Sequence, residues 1–554
     1  MDTQRIIAFI VFSFSILLLW ESWQKYSDPK SAVEVHAVNN KQAAQSSIGE
    51  LPVPSQGLKP NTVIADQSQV THGARVRIVT DVLDAEIDAN GGDLRKLVLT
   101  RYRQNEHADE PFALLEEKTD RNYFAQMGFV GTNLPTHKTL FELTPGAFHL
   151  KDGQKDIKVT LRSLDAGVEV SRTYTFTRGS YVIGVETKIN NHGEKLLEGF
   201  PYYQILRHGQ SPEGESALMQ TFTGPAIYTD AGKFEKVSFE DITKGKTKYV
   251  KEANDGWLGL VQHHFVTAWL TLDPTDANRR EFYTRAVGTN DFSAGMLFSA
   301  FKLPPGQEKI MSMRLYAGPQ ELEKIKTLAP GFDLVVDYGW LTVLAYPIFV
   351  LLNWINKLVV NWGLSIILLT VLIKMVFYPL SAAGYKSMAK MRKLAPRLQT
   401  LKERHGEDRQ KLHEGMMKIY QEEKINPMGG CLPILVQIPV FISLYWVLLG
   451  AVELRQAPFA LWIHDLSKPD PYYVLPVIMA ITSFIQVKLS PASPDPVQQK
   501  VMMAMPIIFS VMFLFFPAGL VLYWLVNNVL SILQQWRINK VIEAGGKAAN
   551  DSKH

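Results

Sequence analysis

Lys374 stands inside an apolar run, Asn361 to Leu380, that has the length of a membrane span. A helix needs about 20 such residues to cross the hydrocarbon core. A charge placed there costs on the order of 2.5–3.5 kcal/mol on insertion scales, so it needs a physical reason. Two reasons are open from this run alone. The ammonium lies about 9 Å from the helix end near Leu380, at 1.5 Å per residue, within reach of a side chain that snorkels to the interface. The alternative is a working charge in a polar cavity. The polar residues of the neighbouring runs favour the second. Thr370 is four residues before Lys374, hence on the same side of a helix. In the last apolar run Tyr523, Asn527, Ser531 and Gln535 recur every four residues, with Trp524, Asn528 and Gln534 beside them. Gln437 and Ser443 lie in one further run, and Thr482, Ser483 and Gln486 in another. Any one of these explains itself as hydrogen-bonding glue between helices. A whole stripe with a lysine does not, because hydrogen bonds leave the charge in place and these runs contain no Asp or Glu. The pattern predicts a hydrated groove with one cation, lined by Lys374, Thr370, Gln437, Tyr523, Trp524, Asn527 and Ser531, and suited to an acidic visitor.

The elements that must position this groove fill the second half of the chain. Near-zero mean hydropathy over 554 residues conceals a split between a soluble-looking stretch, 24 to about 330, and an apolar one, about 334 to 540. Spans are expected at about 361–380, 432–450, 472–489, 501–516 and 518–536, the last two joined by a tight turn at Pro517 and therefore adjacent and antiparallel. The apolar stretch from Leu334 to Leu380 is too long for one span and is interrupted around Asn353, Asn356, Lys357 and Asn361. If 334–352 also crossed, segment 381–430 would face outward. That segment carries Lys386, Lys390, Arg392, Lys393, Arg397 and six further basic residues, and basic loops near spans stay in the cytoplasm. Residues 334–352, with Tyr338, Trp340, Tyr346 and Pro347, are accordingly expected along the outer surface.

Segment 381–430 has its own order. Met388, Met391, Leu394, Leu398 and Leu401 recur at helical spacing, as do Leu412, Met416 and Ile419, with a turn at His405-Gly406-Glu407-Asp408 between them. This predicts a cytoplasmic helical hairpin whose basic base lies near anionic phospholipids. Its core is thin, which suits capture of a passing chain.

At the N-terminus Ile6 to Trp20 is apolar, preceded by Arg5 and followed by Trp20, Glu21, Trp23 and Tyr26 without a small-residue cleavage pattern. Residues 1–23 therefore read as an uncleaved signal anchor, giving six spans with both termini cytoplasmic. Residues 24–70, rich in Pro, Ser, Gln and Asn, read as a flexible tether. In the next domain, expected over 71–325, the pattern alternates with period two from about Arg75 to Ala317, as in Val168-Glu169-Val170, Tyr174-Thr175-Phe176 and Val182 to Ile189. Turn clusters such as Asn90-Gly91-Gly92 and Pro304-Pro305-Gly306 punctuate it, predicting an all-β sandwich. Cys431 is the only cysteine, so this exported part has no disulfide and depends on its own core.

Several function classes find no support. There is no phosphate loop, HExxH, nucleophile elbow or paired-cysteine metal signature, so neither an enzyme nor a cofactor is expected. His263 and His264 are adjacent, and on a strand would face opposite ways. Trp257 and Trp269 read as core residues, with carbohydrate stacking as the alternative. A net charge of +4 gives no reason to expect nucleic-acid binding. A small-solute transporter would be expected to show internal repeats and paired broken helices, which are not evident, and a receptor would act through its β-domain.

Several motifs are more specific. They are Asn361-Trp362-Gly363-Leu364-Ser365-Ile366, Tyr378-Pro379-Leu380, Ser387-Met388-Ala389-Lys390-Met391 and Asn426-Pro427-Met428-Gly429-Gly430-Cys431. Val452 to Phe459, Trp462 to Leu466 and Gly519 to Trp524 belong with them. On these the chain resembles the YidC/Oxa/Alb family of membrane-protein insertases, over essentially its whole length. The resemblance implies a bacterial inner-membrane protein with a five-helix core and a hydrophilic groove open to cytoplasm and lipid. It also implies a periplasmic β-sandwich similar to sugar mutarotases but without their activity, nascent membrane proteins as clients, and partnership with the secretion translocon. The family's groove cation is usually arginine; here it is Lys374, which keeps the charge but not the bidentate geometry. With only 546–554 beyond the core at 326–545, ribosome contact through a long basic tail is not expected.

Overall fold

The structure, a computed structural model, describes residues 51–54, 73–104, 110–118, 121–210, 212, 221–272, 278–288, 290–405, 408–423, 432–489 and 496–551. The expected anchor over 1–23, nearly all of the tether over 24–70, and the Asn426–Cys431 motif lie outside the described residues. The chain divides into two compact units. One comprises Ala44–Asp337 together with Gly450–Gln456, and the other includes Tyr338–Leu449 and Ala457–His554.

The first unit is a β-sandwich. Its smaller, antiparallel sheet has eight strands among the described residues, with Glu308–Pro319 paired between Phe265–Thr271 and Val182–Asn191. Val168–Thr177 shows why the alternation predicted a strand: Val168, Val170, Arg172, Tyr174 and Phe176 are buried while the residues between them are half-exposed. It pairs with Asp156–Asp165 through a two-residue turn, where Ala166 and Gly167 take positive φ of 47° and 81°. Polar groups on the inner faces join the sheets. Tyr123 Oη donates to Thr267 Oγ1 at 2.8 Å, Trp269 Nε1 to the Gln204 carbonyl at 3.1 Å, and Arg172 to the Gly91 carbonyl at 2.6 Å. Trp257 and Trp269 are core residues, 1% and 0% exposed, as the packing reading expected. The expectation for His263 and His264 needs correction. They occupy the tight turn between Trp257–Gln262 and Phe265–Thr271, where chain reversal stacks their rings with centroids 3.9 Å apart.

In the helical unit the described helices are α1 (Thr342–Val359), α2 (Trp362–Val376), α3 (Tyr378–His405), α4 (Arg409–Glu422), α5 (Leu432–Gly450), α6 (Val474–Leu489), α7 (Pro496–Phe513) and α8 (Ala518–Asp551). Several bounds differ from those expected. The helix expected over 334–352 runs instead from Thr342 to Val359, so Asn353, Asn356 and Lys357 lie inside it. The break falls at Val360, whose φ of 54° is left-handed, and at Asn361, whose side chain accepts from the Leu364 amide at 2.9 Å as an N-cap. The run 361–380 is divided at Phe377, where α2 and α3 meet with a bend of 66°. Helix α7 starts before Val501 and stops at Phe513, and α8 continues past Trp536 to Asp551.

α8 packs along α2, α3 and α6. The loop from Ala457 to Asp470 covers two helix ends. Asn361 Nδ2 donates to the Phe459 carbonyl at 3.0 Å, and the Ala518 and Gly519 amides donate to the Lys468 and Leu466 carbonyls at 2.7 and 3.0 Å. A Cβ on Gly363 would lie 2.0 Å from a Phe459 ring carbon, so only glycine admits this approach. α3 and α4 form an antiparallel pair: Leu394 and Leu398 pack with Met391, Met416, Ile419 and Tyr420, and Arg397 Nη1 reaches Glu423 Oε1 at 2.7 Å.

Candidate functional site: a buried lysine cluster in the helical unit

Lys374 is 6% exposed, in the last turn of α2. Its Nζ donates to Ser531 Oγ at 2.8 Å and to Gln437 Oε1 at 3.3 Å. Gln437 Nε2 in turn donates to Asn527 Oδ1 at 2.7 Å and to Tyr523 Oη at 3.3 Å. Helices α2, α5 and α8 thus converge on one amide side chain. Both partners of Lys374 are neutral, and they occupy two of the three N–H donors of an ammonium. Beside the cluster is a small pocket, about 10 Å³, room for one water, lined by Ile373, Phe377, Leu380, Ser381, Val436, Gln437 and Val440.

Of the residues predicted from sequence, Lys374, Gln437, Tyr523, Asn527 and Ser531 come together in this network. Thr370 does not join it through its hydroxyl, which returns to the Ile366 carbonyl at 2.6 Å. Trp524 faces elsewhere, within ring contact of Phe441, Phe509 and Phe513 at centroid distances of 4.6, 6.4 and 5.4 Å. The other polar residues divide as well. Asn528 Nδ2 donates to Ser483 Oγ at 2.7 Å, and Gln535 Nε2 to the Leu489 carbonyl at 2.8 Å, so they join α8 to α6. A periodic stripe identifies a helix side, but a side wide enough to meet two neighbours splits between them.

Ser531 Oγ donates to the Asn527 carbonyl at 2.7 Å while accepting from Lys374, so the network is anchored on the α8 backbone. Ser381, buried at the start of α3 and lining the pocket, is a polar residue that sequence reasoning missed. The signal available was weak, since one serine just past a proline-containing bend carries no period. On α3, Lys386, Lys390 and Arg397 are exposed, whereas nothing is described of the side chains of Arg392 and Lys393.

A β-sandwich joined to a helical bundle built around a buried lysine defines a class of membrane protein, one with a large soluble domain and a polar intramembrane cluster. Comparison with known proteins specifies it. Residues 75–351 match the YidC periplasmic domain and residues 354–545 the 60Kd inner membrane protein family. The chain is 55% identical over 551 residues to the membrane protein insertase YidC of Thiobacillus denitrificans, covering 99% of each chain. With the protein of the same name from Dechloromonas aromatica it shares 52% identity over 558 residues, covering 100% of both. The chain belongs to the YidC family of membrane protein insertases, inner-membrane proteins that here carry a large periplasmic domain.

Proposed function

We propose that this chain inserts nascent membrane proteins by giving their polar leading segments a hydrated, cationic route through the inner half of the bilayer. The observation that carries this reading is the Lys374 cluster, a buried ammonium held by two neutral acceptors beside a small, partly polar pocket. A cation so held keeps its charge available, and an entering carboxylate gains a charge-assisted hydrogen bond stronger than the neutral ones it replaces. The apolar segment that follows leaves for lipid beside α5 and α7. Burial of its apolar surface, worth about 25 cal/mol per Å², supplies the driving force without a nucleotide.

The remaining assignments follow the charge distribution. The signal anchor, α2, α5, α6, α7 and α8 are six spans, both termini are cytoplasmic, and α1 lies along the periplasmic surface. The basic and exposed Lys386, Lys390 and Arg397 support a cytoplasmic α3–α4 hairpin near anionic headgroups. There it receives the nascent chain, either alone or beside the secretion translocon. The loop from Ala457 to Asp470, spread over the ends of α2 and α8, favours a groove closed on the periplasmic side.

Lys374→Glu in reconstituted proteoliposomes is expected to impair insertion of substrates with acidic translocated tails. A photo-crosslinker at Gln437 or Tyr523 is expected to capture a stalled nascent chain. Insertion unchanged by the charge reversal would overturn the charge mechanism, and an absence of crosslinks from both positions would overturn the groove as the route.

A further inference from the structure

The helices around Lys374 are not all held in the same way. The loop from Ala457 to Asp470 fastens three of them. It holds α2 through Asn361 and through the Phe459 ring pressed on Gly363, and α8 through the Ala518 and Gly519 amides. At the start of α6, Asp470 accepts from the Leu475 amide at 2.8 Å, the Tyr472 amide at 3.0 Å and Trp462 Nε1 at 2.9 Å. Away from the loop these three helices pack directly, α8 running along α2 and α6. A Cβ on Gly519 would lie 3.3 Å from Ile366 Cδ1, and Asn528 bonds Ser483 at 2.7 Å. Along the axes Gly363 is about 16 Å from Lys374 and Gly519 about 18 Å from Ser531, at 1.5 Å per residue. The Lys374–Ser531 bond therefore joins, at matching depth, two helices already tied at their loop ends.

α5 is held differently. Among the described residues no helix packs along it as closely as α2 and α6 pack along α8. It reaches across through long side chains: Phe441 meets the Trp524 ring at 4.6 Å, and Gln437 bonds Lys374 and Tyr523 at 3.3 Å each, longer than a usual hydrogen bond. Only the bond from Gln437 to Asn527, at 2.7 Å, is short. The small pocket lies on this seam, with α5 on one side and α2 and α3 on the other. A gap forfeits dispersion contacts on both of its walls, so separation costs least there. Toward its other end α5 is close-packed, since a Cβ on Gly339 would lie 3.1 Å from the Trp446 ring.

Resting on the entry of clients at this cluster, we infer that α2, α6 and α8, bound by the loop 457–470, are the fixed wall of the Lys374 site and that α5 is its moving wall. α5 swings about its Trp446 end and draws Gln437 away from Lys374 to admit a client segment. Ser531 stays on the ammonium, at 2.8 Å, and the place of Gln437 Oε1 passes to an oxygen of the client. Gln437 is the ligand to give way because its bond to Lys374 is the longer of the two and its helix has the gap behind it. Movement of one packed element against a rigid remainder is a common form of opening.

The test bridges each seam in the full-length protein in proteoliposomes, with Cys431→Ser removing the native thiol. Phe441→Cys/Trp524→Cys joins α5 to α8, and Ser483→Cys/Asn528→Cys joins α6 to α8. Both pairs are bridged with a short bis-thiosulfonate reagent that dithiothreitol cleaves, and each protein is compared with itself before bridging and after cleavage. Bridging 441 to 524 is expected to lower insertion of an acidic-tailed substrate about tenfold, reversibly, whereas bridging 483 to 528 changes it less than about twofold. The moving wall is overturned if the 441–524 bridge leaves insertion within about twofold, or if the 483–528 bridge lowers it as much as the other. Should the first variant fail to fold or to insert before bridging, hydrogen exchange of the unaltered protein in lipid nanodiscs decides. Exchange is expected to be about tenfold faster over 437–446 than over 519–531, and equal or slower exchange would overturn the inference. Bridging reads movement while Lys374→Glu reads charge, so the moving wall and the charge mechanism fail separately.

Discussion

Gln437 and His137 show how one side chain's hydrogen-bond capacity determines what its surroundings do. Gln437 presents an acceptor to Lys374 and donors to Asn527 and Tyr523, an arrangement that a carboxylate cannot reproduce. Gln437→Glu would give the lysine a resident anion and leave Asn527 Oδ1 facing an acceptor. Insertion of acidic-tailed substrates is expected to fall roughly tenfold, about 1.4 kcal/mol, with neutral-tailed substrates less affected, as read by protease protection in proteoliposomes. In the β-sandwich, Tyr202 Oη accepts from the His137 amide at 3.0 Å and lies within hydrogen-bond distance, 2.5 Å, of Nδ1. Burial first, then Arg285, Lys138 and Arg95, push the imidazole down to about 3. Because the folded value is below the unfolded one, His137 contributes its full stability above about pH 6.5 and loses it progressively as pH falls toward 3. The loss is on the order of 4 kcal/mol. Asp93, whose carboxyl burial raises to about 7, works in the opposite sense between pH 4 and 7. The difference between wild type and His137→Gln, in urea midpoints followed by tryptophan fluorescence from pH 7 to 4, isolates the histidine.

Helix ends carry much of the architecture, and they were the elements least legible beforehand. The stripes Met388 to Leu401 and Leu412 to Ile419 predicted the α3–α4 pair, and the observed contacts among Leu394, Leu398, Met416 and Ile419 follow from that spacing. Apolar periodicity identifies a buried face well because burial is what produces it. It gives no information on where a helix stops. Asn353, Asn356 and Lys357 looked like a break, yet a helix interior tolerates them. The stop comes from Val360 in the left-handed region and from Asn361, which caps α2 and also holds the Phe459 carbonyl. That dual use explains the Asn361-Trp362-Gly363 motif in physical terms: a cap, then a residue without a side chain where Phe459 presses close. Asn361→Ala is expected to destabilise the helical unit by about 1–2 kcal/mol through loss of the cap and the clamp. Gly363→Ala is expected to cost about 1–3 kcal/mol by overpacking. Thermal unfolding in detergent, with Asn361→Asp as a variant that keeps the cap acceptor, checks both. An Asn361→Asp protein no more stable than Asn361→Ala would remove the cap from the account.

Across the whole chain the division of labour was legible wherever a residue pattern has a single physical cause. Period-two alternation from about Arg75 to Ala317 identified the sandwich because one face of each strand must leave water. The lysine in an apolar run identified the cluster because an uncompensated charge there is costly. The connection at 450–456 stood out only as part of the Val452 to Phe459 motif, whose spacing gives no hint that Arg455 and Gln456 bond to Arg103. Deleting 75–315 therefore tests two ideas at once at this scale. The residues that contact Lys374 all lie outside the deletion, on α2, α5 and α8, so the charge mechanism survives it in principle. A receptor acting through its β-domain would lose all activity. An insertase whose route is the Lys374 cluster is expected to keep much of its activity. Proteoliposomes of the deleted protein, loaded with an acidic-tailed substrate, measure it. Complete loss of insertion by a deleted protein that retains helical circular dichroism would mean that the helical unit alone does not carry the activity.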